Sequence, residues 1–157
     1  MGGVERLRVI DSHTEGEPTR VFLDEGPRFA DRTLTEHLAA WRSPEGGWQA
    51  PAELLGLVAE PRAPVATVGA VLCRSNQAGV AAGVIFFNAA GGLGMCGHGT
   101  IGLVATLAHL GRLAPGEHRL ETPVGIVTAR LAAGGRVEVD NVEAYRHRTG
   151  LEVQVGS

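Results

Sequence analysis

The amino-acid sequence predicts an α+β fold in which an antiparallel, barrel-like sheet surrounds one central helix. Several short apolar and β-branched segments are separated by turn-forming residues, which is typical of strands. One segment, from Thr100 to Leu110, is apolar on every side, and such a helix is expected to be buried. Strands and helices alternate too poorly for a parallel sheet of βαβ units. Together these patterns favour a sheet wrapped around a buried helix.

The start of the chain predicts a pair of strands. Residues 6–11 and 18–24 are rich in apolar and β-branched side chains. Between them lies the polar segment 12–17, which contains a glycine and is expected to form the turn.

Two short helices are expected to follow. Thr33 precedes an apolar pattern of helical period over 34–42, and a threonine at that position can accept a hydrogen bond from a first-turn amide. The residues expected on the apolar face of this helix are Leu34, Leu38 and Trp41. Segment 43–51 contains prolines and paired glycines and predicts a surface loop, and a second helix is expected near 53–58.

The rest of the chain predicts a hairpin, the central helix and more strands. Residues 65–73 and 79–87 are β-branched and apolar, and the polar segment between them predicts a hairpin. Gly111 is a natural stop for the central helix. The further expected strands are 118–122, 124–131 and 136–142. The alternating pattern over 151–157 predicts the start of one more strand.

Composition excludes several classes of protein. The 157 residues suit one ordinary domain, with a net charge of -3 and no block of basic residues that would favour nucleic acid. No apolar stretch approaches the length of a membrane span. The two cysteines form no metal-binding or secreted disulfide pattern, so we expect a cytoplasmic protein with reduced thiols and no metal.

The most informative segment is the glycine-rich run 91–102, which places Cys96 at the start of the central helix. The first amides of a helix have no internal acceptor, and the helix dipole is positive at that end. A thiol there is expected to ionise more easily, and the same amides can hold a carboxylate. Cys73 ends an apolar strand-like segment, so we expect it to be buried and inert.

Three other polar residues are candidates for a supporting role. His98 lies two residues after Cys96, where it could contact a ligand or cap the helix. His13 and Thr14 lie in the predicted turn 12–17, where they could support the pocket or hold the turn through bonds to its backbone. We interpret Glu17 as structural rather than as a general acid.

Four segments carry a resemblance to a known family. Residues 11–21, 83–88, 95–102 and 121–125 resemble, in order, the motifs of the proline racemase and hydroxyproline epimerase family. The Cys-Gly-His-Gly-Thr block beginning at Cys96 is most similar to that of the 4-hydroxyproline 2-epimerase branch.

The resemblance implies an isomerase that needs no cofactor and inverts an amino acid at Cα with two acid/base cysteines. It implies a fold like that of diaminopimelate epimerase, with two similar lobes and the substrate between them. Cys96 matches the first cysteine, and Gly97 and His98 match adjoining substrate contacts. The expected substrate is a small molecule, hydroxyproline or proline.

The family's second cysteine block has no counterpart in this sequence. We therefore expect residues 1–157 to form the first lobe of a two-lobe epimerase, with the second lobe absent. A single lobe has no second proton donor, so we expect this chain alone to be inactive. A separate second lobe or a homo-oligomer could complete the site.

Other functions remain open at this point. Proline racemase differs only in substrate. Diaminopimelate epimerase shares the fold but carries an asparagine where this chain has His98, and the dehydratase branch typically carries a threonine in place of Cys96. A non-catalytic half-protein, or a module that binds a carboxylate without turnover, belongs to a different class. Finding a second chain or a downstream segment that carries the second cysteine block would discriminate between the epimerase and the non-catalytic half-protein.

Overall fold

The computed structural model describes residues 6–23, 32–43, 45, 47–75 and 77–154. Its strands are β1 (Val9–Thr14), β2 (Glu17–Phe22), β3 (Val68–Cys73), β4 (Ala82–Phe87), β5 (Gly92–Leu93), β6 (Gly116–Thr122), β7 (Gly125–Leu131) and β8 (Val137–Asp140). Its helices are α1 (Leu34–Ala40), α2 (Ala52–Val58) and α3 (Gly97–His109).

All the strands belong to one mixed sheet. Its order is β1-β2-β3-β4-β6-β7-β8, and β5 pairs separately with β4. Most neighbours are antiparallel, but β2 runs parallel to β3 and β4 runs parallel to β6. The prediction of an antiparallel sheet is therefore wrong at these two places. The reason is that helices lie in the connections there, and a helical crossover returns the chain to the end from which it left.

The sheet curves around α3, which confirms the predicted α+β architecture. Helix α3 contacts β1 and β2 at one end of the strand order and β7 and β8 at the other. A flat sheet cannot bring both ends against a single helix. The result is a half-barrel with α3 inside it.

Two apolar layers lie on opposite faces of the sheet. The inner layer joins α3 to the sheet through residues such as Val84, Phe86 and Leu103, all 0% exposed. The outer layer packs α1 and α2 on the other face, around Ile85 and Phe87. Because neighbouring residues of β4 point alternately into the two layers, this strand is buried on both faces.

Helix α3 departs from its prediction in two ways. It begins at Gly97, three residues before the predicted start, because Cys96 takes the N-cap position with an extended backbone. It is also buried on one side only, since Ile101, Ala105 and Ala108 are half-buried. The sheet covers part of the circumference of the helix, because its two edge strands β1 and β8 do not pair with each other.

The β1–β2 hairpin is tighter than the sequence predicts. Strand β1 continues through Ser12 to Thr14, and the turn consists of Glu15 and Gly16 alone. Both turn residues have positive φ, 50° and 97°, as the two-residue turns that match the twist of a hairpin require. The predicted turn over 12–17 is therefore wrong in length, because its polar side chains stand on strands.

Most other predicted elements are confirmed. Thr33 caps α1 in a capping box with Glu36, and the predicted apolar residues of this helix are buried. Helix α2 and strands β3, β4, β6, β7 and β8 lie within the predicted segments or within two residues of them. Residues 151–154 form no strand, so that prediction is wrong there. Residues 155–157, and residue 24 at the end of the second predicted strand, lie outside the described part of the chain.

In the described part of the chain, none of the helices is both long and apolar enough to cross a membrane.

Close packing at Gly102 joins α3 to the β1–β2 hairpin. A Cβ atom on Gly102 would lie 2.8 Å from the Ser12 hydroxyl oxygen and 2.8 Å from the Thr19 Cβ. Ser12 and Thr19 are directly opposite each other across the hairpin, so they form one surface facing the helix. Only a residue without a side chain permits this approach.

We predict that Gly102→Ala destabilises the protein by about 1 kcal/mol, and by about 2 kcal/mol at most. Overpacking costs about 1–3 kcal/mol, and the better helix propensity of alanine offsets about 1 kcal/mol of it. Urea denaturation followed by circular dichroism measures the change. Gly134→Ala is the matched control, because a Cβ there meets nothing within 4 Å. Equal stability of Gly102→Ala and the original protein would contradict the prediction. It would show that the hairpin shifts to make room for the added methyl group.

Candidate active site

Cys96 is held at the mouth of α3 by a short hydrogen-bonded turn. Its carbonyl oxygen accepts from the Thr100 amide at 2.9 Å and from the Thr100 hydroxyl at 2.8 Å. Thr100 is 0% exposed, so this anchor is shielded from water. Sequence reasoning did not single out Thr100, although a threonine four residues after the cap is placed for such a bond.

The Cys96 side chain is half-buried beside His98. The Cys96 Sγ lies 3.6 Å from the His98 Nδ1. The His98 Nε2 is buried and has no hydrogen-bond partner among the described residues. A buried ring nitrogen without a partner is costly, so the His98 Nε2 is a candidate to bind a further group.

The protonation of Cys96 contradicts the expectation from its position. Burial raises the pKa of the Cys96 thiol above its usual range. The backbone N–H groups of Gly99 and His98 lower it, while the negative charge of Glu17 raises it. The thiol makes no cap hydrogen bond to the helix. The helix amides therefore lower the pKa of the thiol less than desolvation raises it. The balance favours the protonated thiol at neutral pH.

The first turn of α3 leaves an open approach for an anion. Gly97 is followed by His98 and Gly99, whose N–H groups belong to the part of a helix without intrahelical acceptors. A Cβ on Gly97 would meet nothing within 4 Å, so the space beside it is open. Backbone donors and the positive end of the dipole both favour a carboxylate at this place.

The β1–β2 hairpin supports this turn through Thr14. The Thr14 hydroxyl donates to the His98 carbonyl oxygen at 3.2 Å, which joins the tip of the hairpin to the start of the helix. His13 instead bonds within the hairpin turn, where its Nδ1 accepts from the Gly16 amide at 3.4 Å. The structure thus places Thr14 against the site and His13 on the hairpin turn.

Glu17 is the residue that sequence reasoning placed wrongly. It begins β2 directly opposite Thr14, and its charge acts on Cys96. The signal was present in the register, since residues opposite each other across a hairpin share one face. That register depends on the length of the turn, which is shorter than the sequence pattern predicts.

Cys73 is buried, as predicted, and belongs to the outer apolar layer. It is 3% exposed within β3, and its thiol donates to the Val71 carbonyl oxygen at 3.3 Å. No group of three or more histidine, cysteine or acidic side chains within the described ranges is arranged to hold a metal ion.

Comparison with known proteins identifies the family. The family model described as proline racemase matches residues 9–157. The chain belongs to the proline racemase family. The resemblance of its motifs is thereby confirmed over nearly the whole chain.

Individual relatives carry more specific names. A protein of Xanthomonas campestris pv. campestris named 4-hydroxyproline 2-epimerase is 52% identical over 149 residues, covering 95% of this chain and 46% of the relative. A Pseudomonas aeruginosa protein of the same name is 49% identical over 152 residues, covering 97% of this chain and 47% of the relative. The chain therefore spans about half the length of these relatives.

Solved structures share the fold. A probable proline racemase of Agrobacterium radiobacter K84 with bound carbonate has a TM-score of 0.69, with 24% identity and coverage of 83% of this chain and 39% of that one. A hydroxyproline epimerase of Agrobacterium vitis with bound trans-4-hydroxy-L-proline also has a TM-score of 0.69, with 22% identity over 82% of this chain and 38% of that one. At this identity the likeness shows the fold.

We predict that iodoacetamide labels Cys96 before Cys73, with a pH midpoint above the ordinary thiol value of about 8.5. Cys96 is half-buried and therefore reachable, whereas Cys73 is enclosed. Only the thiolate reacts, and burial raises the pKa of Cys96, so its labelling is slow at pH 7. Peptide mapping across a pH series measures both sites. A Cys96 midpoint below 8.5 would show that the helix amides outweigh burial.

We predict that Thr14→Val displaces the start of α3 and costs about 1 kcal/mol of stability, because the bond to the His98 carbonyl is lost. Valine keeps the shape and branching of threonine. Thr14→Ser is the control, since it retains the hydroxyl group. Amide chemical shifts of Gly97 and Gly99, together with urea denaturation, report the two effects. Identical shifts in the valine variant and the original protein would remove Thr14 from the site.

Proposed function

We propose that this chain supplies one acid/base half of a cofactor-independent amino-acid epimerase, with 4-hydroxyproline as the substrate. The observation that carries the proposal is the placement of Cys96 at the N-terminus of α3, beside open backbone donors. Relatives named 4-hydroxyproline 2-epimerase, about half identical over this region, support the choice of substrate. Proline is the alternative substrate within the same chemistry.

The proposed chemistry is proton transfer at Cα. Inversion requires a base on one face of Cα and an acid on the other. Burial keeps the Cys96 thiol protonated, which suits it to deliver a proton to its face. In the reverse direction the Cys96 thiolate accepts the proton from the same face. The Cys96 Sγ lies 3.6 Å from the His98 Nδ1, so a change in charge on the sulfur changes the electrostatic potential at the imidazole.

The substrate carboxylate is proposed to bind the N–H groups of Gly97 and His98. Negative charge develops on this carboxylate when the Cα proton leaves, and donors fixed in place stabilise it without reorganisation. Thr14 keeps the His98 backbone in position through its bond to the carbonyl oxygen. The open side of Gly97 allows the ligand to approach the backbone closely.

A second acid/base group must face Cα from the opposite side. Cys73 is enclosed in the outer layer of the core and does not reach the α3 N-terminus. We therefore propose that this chain acts as one lobe, and that a second lobe or a second subunit provides the opposing group and excludes water.

A carboxylate-binding module without turnover is the second candidate function. Cys96 is protonated, and it is the sole cysteine at the site. One neutral thiol on one face can exchange a proton but cannot invert a stereocentre. The two proposed functions make different predictions. An opposing lobe restores epimerase activity only if this chain is one half of an epimerase.

We predict that the 157-residue chain alone shows no epimerisation of trans-4-hydroxy-L-proline, and that adding the unaligned portion of the Xanthomonas campestris relative restores it. Polarimetry follows both reactions. Cys96→Ser abolishes the restored activity, because a serine hydroxyl is too weak an acid to exchange protons at neutral pH. Cys73→Ala is the matched control and keeps activity. Turnover by the single chain at about 1 per second or faster contradicts the one-lobe proposal. An active Cys96→Ser complex contradicts the role of Cys96.

A further inference from the structure

A cavity of about 290 Å³ opens at the end of the half-barrel opposite the N-terminus of α3. We call it the basal cavity, and its main lining residues are Leu72, Arg74, Leu107, Arg112 and Leu113. Leu107 lies in the last turn of α3, about 15 Å along the helix axis from the first residue. The basal cavity is therefore separate from the candidate active site.

The backbone at the end of α3 fixes one wall of the basal cavity. The Gly111 amide donates to the Ala108 carbonyl oxygen at 2.9 Å, and Gly111 has a positive φ of 68°. The Arg112 amide donates to the Leu107 carbonyl oxygen at 2.8 Å. These two bonds form the Schellman arrangement, which commonly ends a helix. They hold the Arg112 backbone in place without using its side chain.

The ends of β3 and β4 fix the opposite wall. The Ser75 hydroxyl donates to the Glu121 carboxylate and accepts from the Gln77 amide at 3.1 Å. The Ala81 amide donates to the Arg119 carbonyl oxygen at 2.8 Å. Both Ser75 and Ala81 line the cavity. Because hydrogen bonds within the protein hold both walls, the cavity is formed before a ligand binds, as is usual for small-molecule sites.

The rim of the basal cavity carries positive charge. The Arg112 side chain takes part in no hydrogen bond or ion pair with the residues that the structure describes. Arg74 places a second guanidinium-bearing side chain at the same rim. No acidic side chain from the described ranges lines the cavity. An available positive charge beside an apolar wall favours an anion that also has an apolar body.

A second cavity, of about 310 Å³, shows that arginine side chains alone do not create such a site. It is lined by Arg130 and Arg136 on the β6–β8 part of the sheet. Arg130 pairs with Asp140 at 2.7 Å, and Arg136 pairs with Glu138 at 3.0 Å. An anion entering this second cavity would compete with those carboxylates. The Arg112 side chain has no such competitor in the described part of the chain.

We propose that the basal cavity binds a small carboxylate with an aliphatic body. The carboxylate pairs with Arg112 and Arg74 at the rim, where a guanidinium group can donate two parallel hydrogen bonds. The aliphatic part lies against Leu107 and Leu113. The volume is near the lower limit for small-molecule sites, so the ligand is smaller than a drug-sized molecule. This site does not depend on the proposed chemistry of Cys96.

The test uses the 157-residue chain and three probes. Cyclohexanecarboxylate has both the charge and the ring, cyclohexanecarboxamide has the same shape without the charge, and acetate has the charge without the ring. Amide chemical shifts of Ala81, Arg112 and Leu113 report on the basal cavity. Those of Gly97 and Gly99 report separately on the N-terminus of α3.

We expect cyclohexanecarboxylate to cause saturable shifts at the three basal amides, with a dissociation constant of about 1–10 mM for a ligand of this size. Cyclohexanecarboxamide is expected to bind about tenfold more weakly, because two exposed ion pairs contribute about threefold each. Acetate is also expected to bind about tenfold more weakly, because it buries little apolar surface.

Arg112→Gln is expected to weaken binding of cyclohexanecarboxylate about threefold and to leave binding of the carboxamide unchanged. The backbone bonds at the end of α3 do not use the Arg112 side chain, so the variant keeps them. Arg148→Gln is the matched control. It removes the same charge from an exposed residue that does not line the cavity, and it is expected to bind like the original protein. Circular dichroism confirms that both variants fold.

Several outcomes overturn the proposal. Absence of saturable shifts at the basal amides removes the site, and shifts confined to Gly97 and Gly99 assign the probe to the N-terminus of α3 instead. Equal binding of the carboxamide removes the role of charge, and equal binding of acetate removes the role of the apolar wall. Unchanged binding in Arg112→Gln, or an equal loss in Arg148→Gln, shows that Arg112 does not hold the carboxylate.

Discussion

The close approach of α3 to the β1–β2 hairpin is the constraint on which the site depends. At Gly102 the helix backbone meets Ser12 and Thr19 with no space for a side chain. One turn closer to the N-terminus, Thr14 bonds to His98 across the same interface. Together these contacts fix the helix along its axis and around it. The hairpin thus positions Cys96 and the first amides, because it holds the helix from which they project.

Two opposing effects act on the Cys96 thiol. The helix amides favour the thiolate, while burial and the Glu17 charge favour the thiol, and burial has the largest effect. A partly enclosed thiol of this kind keeps its proton until a charged ligand or a facing group alters the balance. The protonation state of Cys96 is thus linked to ligand binding, which suits the proton exchange at Cα that we propose for this residue.

Short-range patterns predicted the secondary structure well, and long-range connections less well. Thr33 and Leu38 identified α1, because capping and helical period are local properties. The parallel pairing of β2 with β3 was missed, because it depends on where a crossover returns. The length of the first turn was also missed, since strand residues such as His13 and Thr14 are polar enough to look like a loop. That error concealed the position of Glu17.

The sequence by itself determined the family and the central helix, and it made Cys96 the candidate acid/base residue, because motif spacing and helix periodicity are local patterns along the chain. Only the tertiary structure decided which side of the helix is covered and whether Cys96 is acidified. The covered side of the helix depends on how far the sheet curves. The pKa of Cys96 depends on which side chains the sheet brings to the N-terminus of α3. Burial is a property of packing between distant segments, and here it outweighs the local field of the helix.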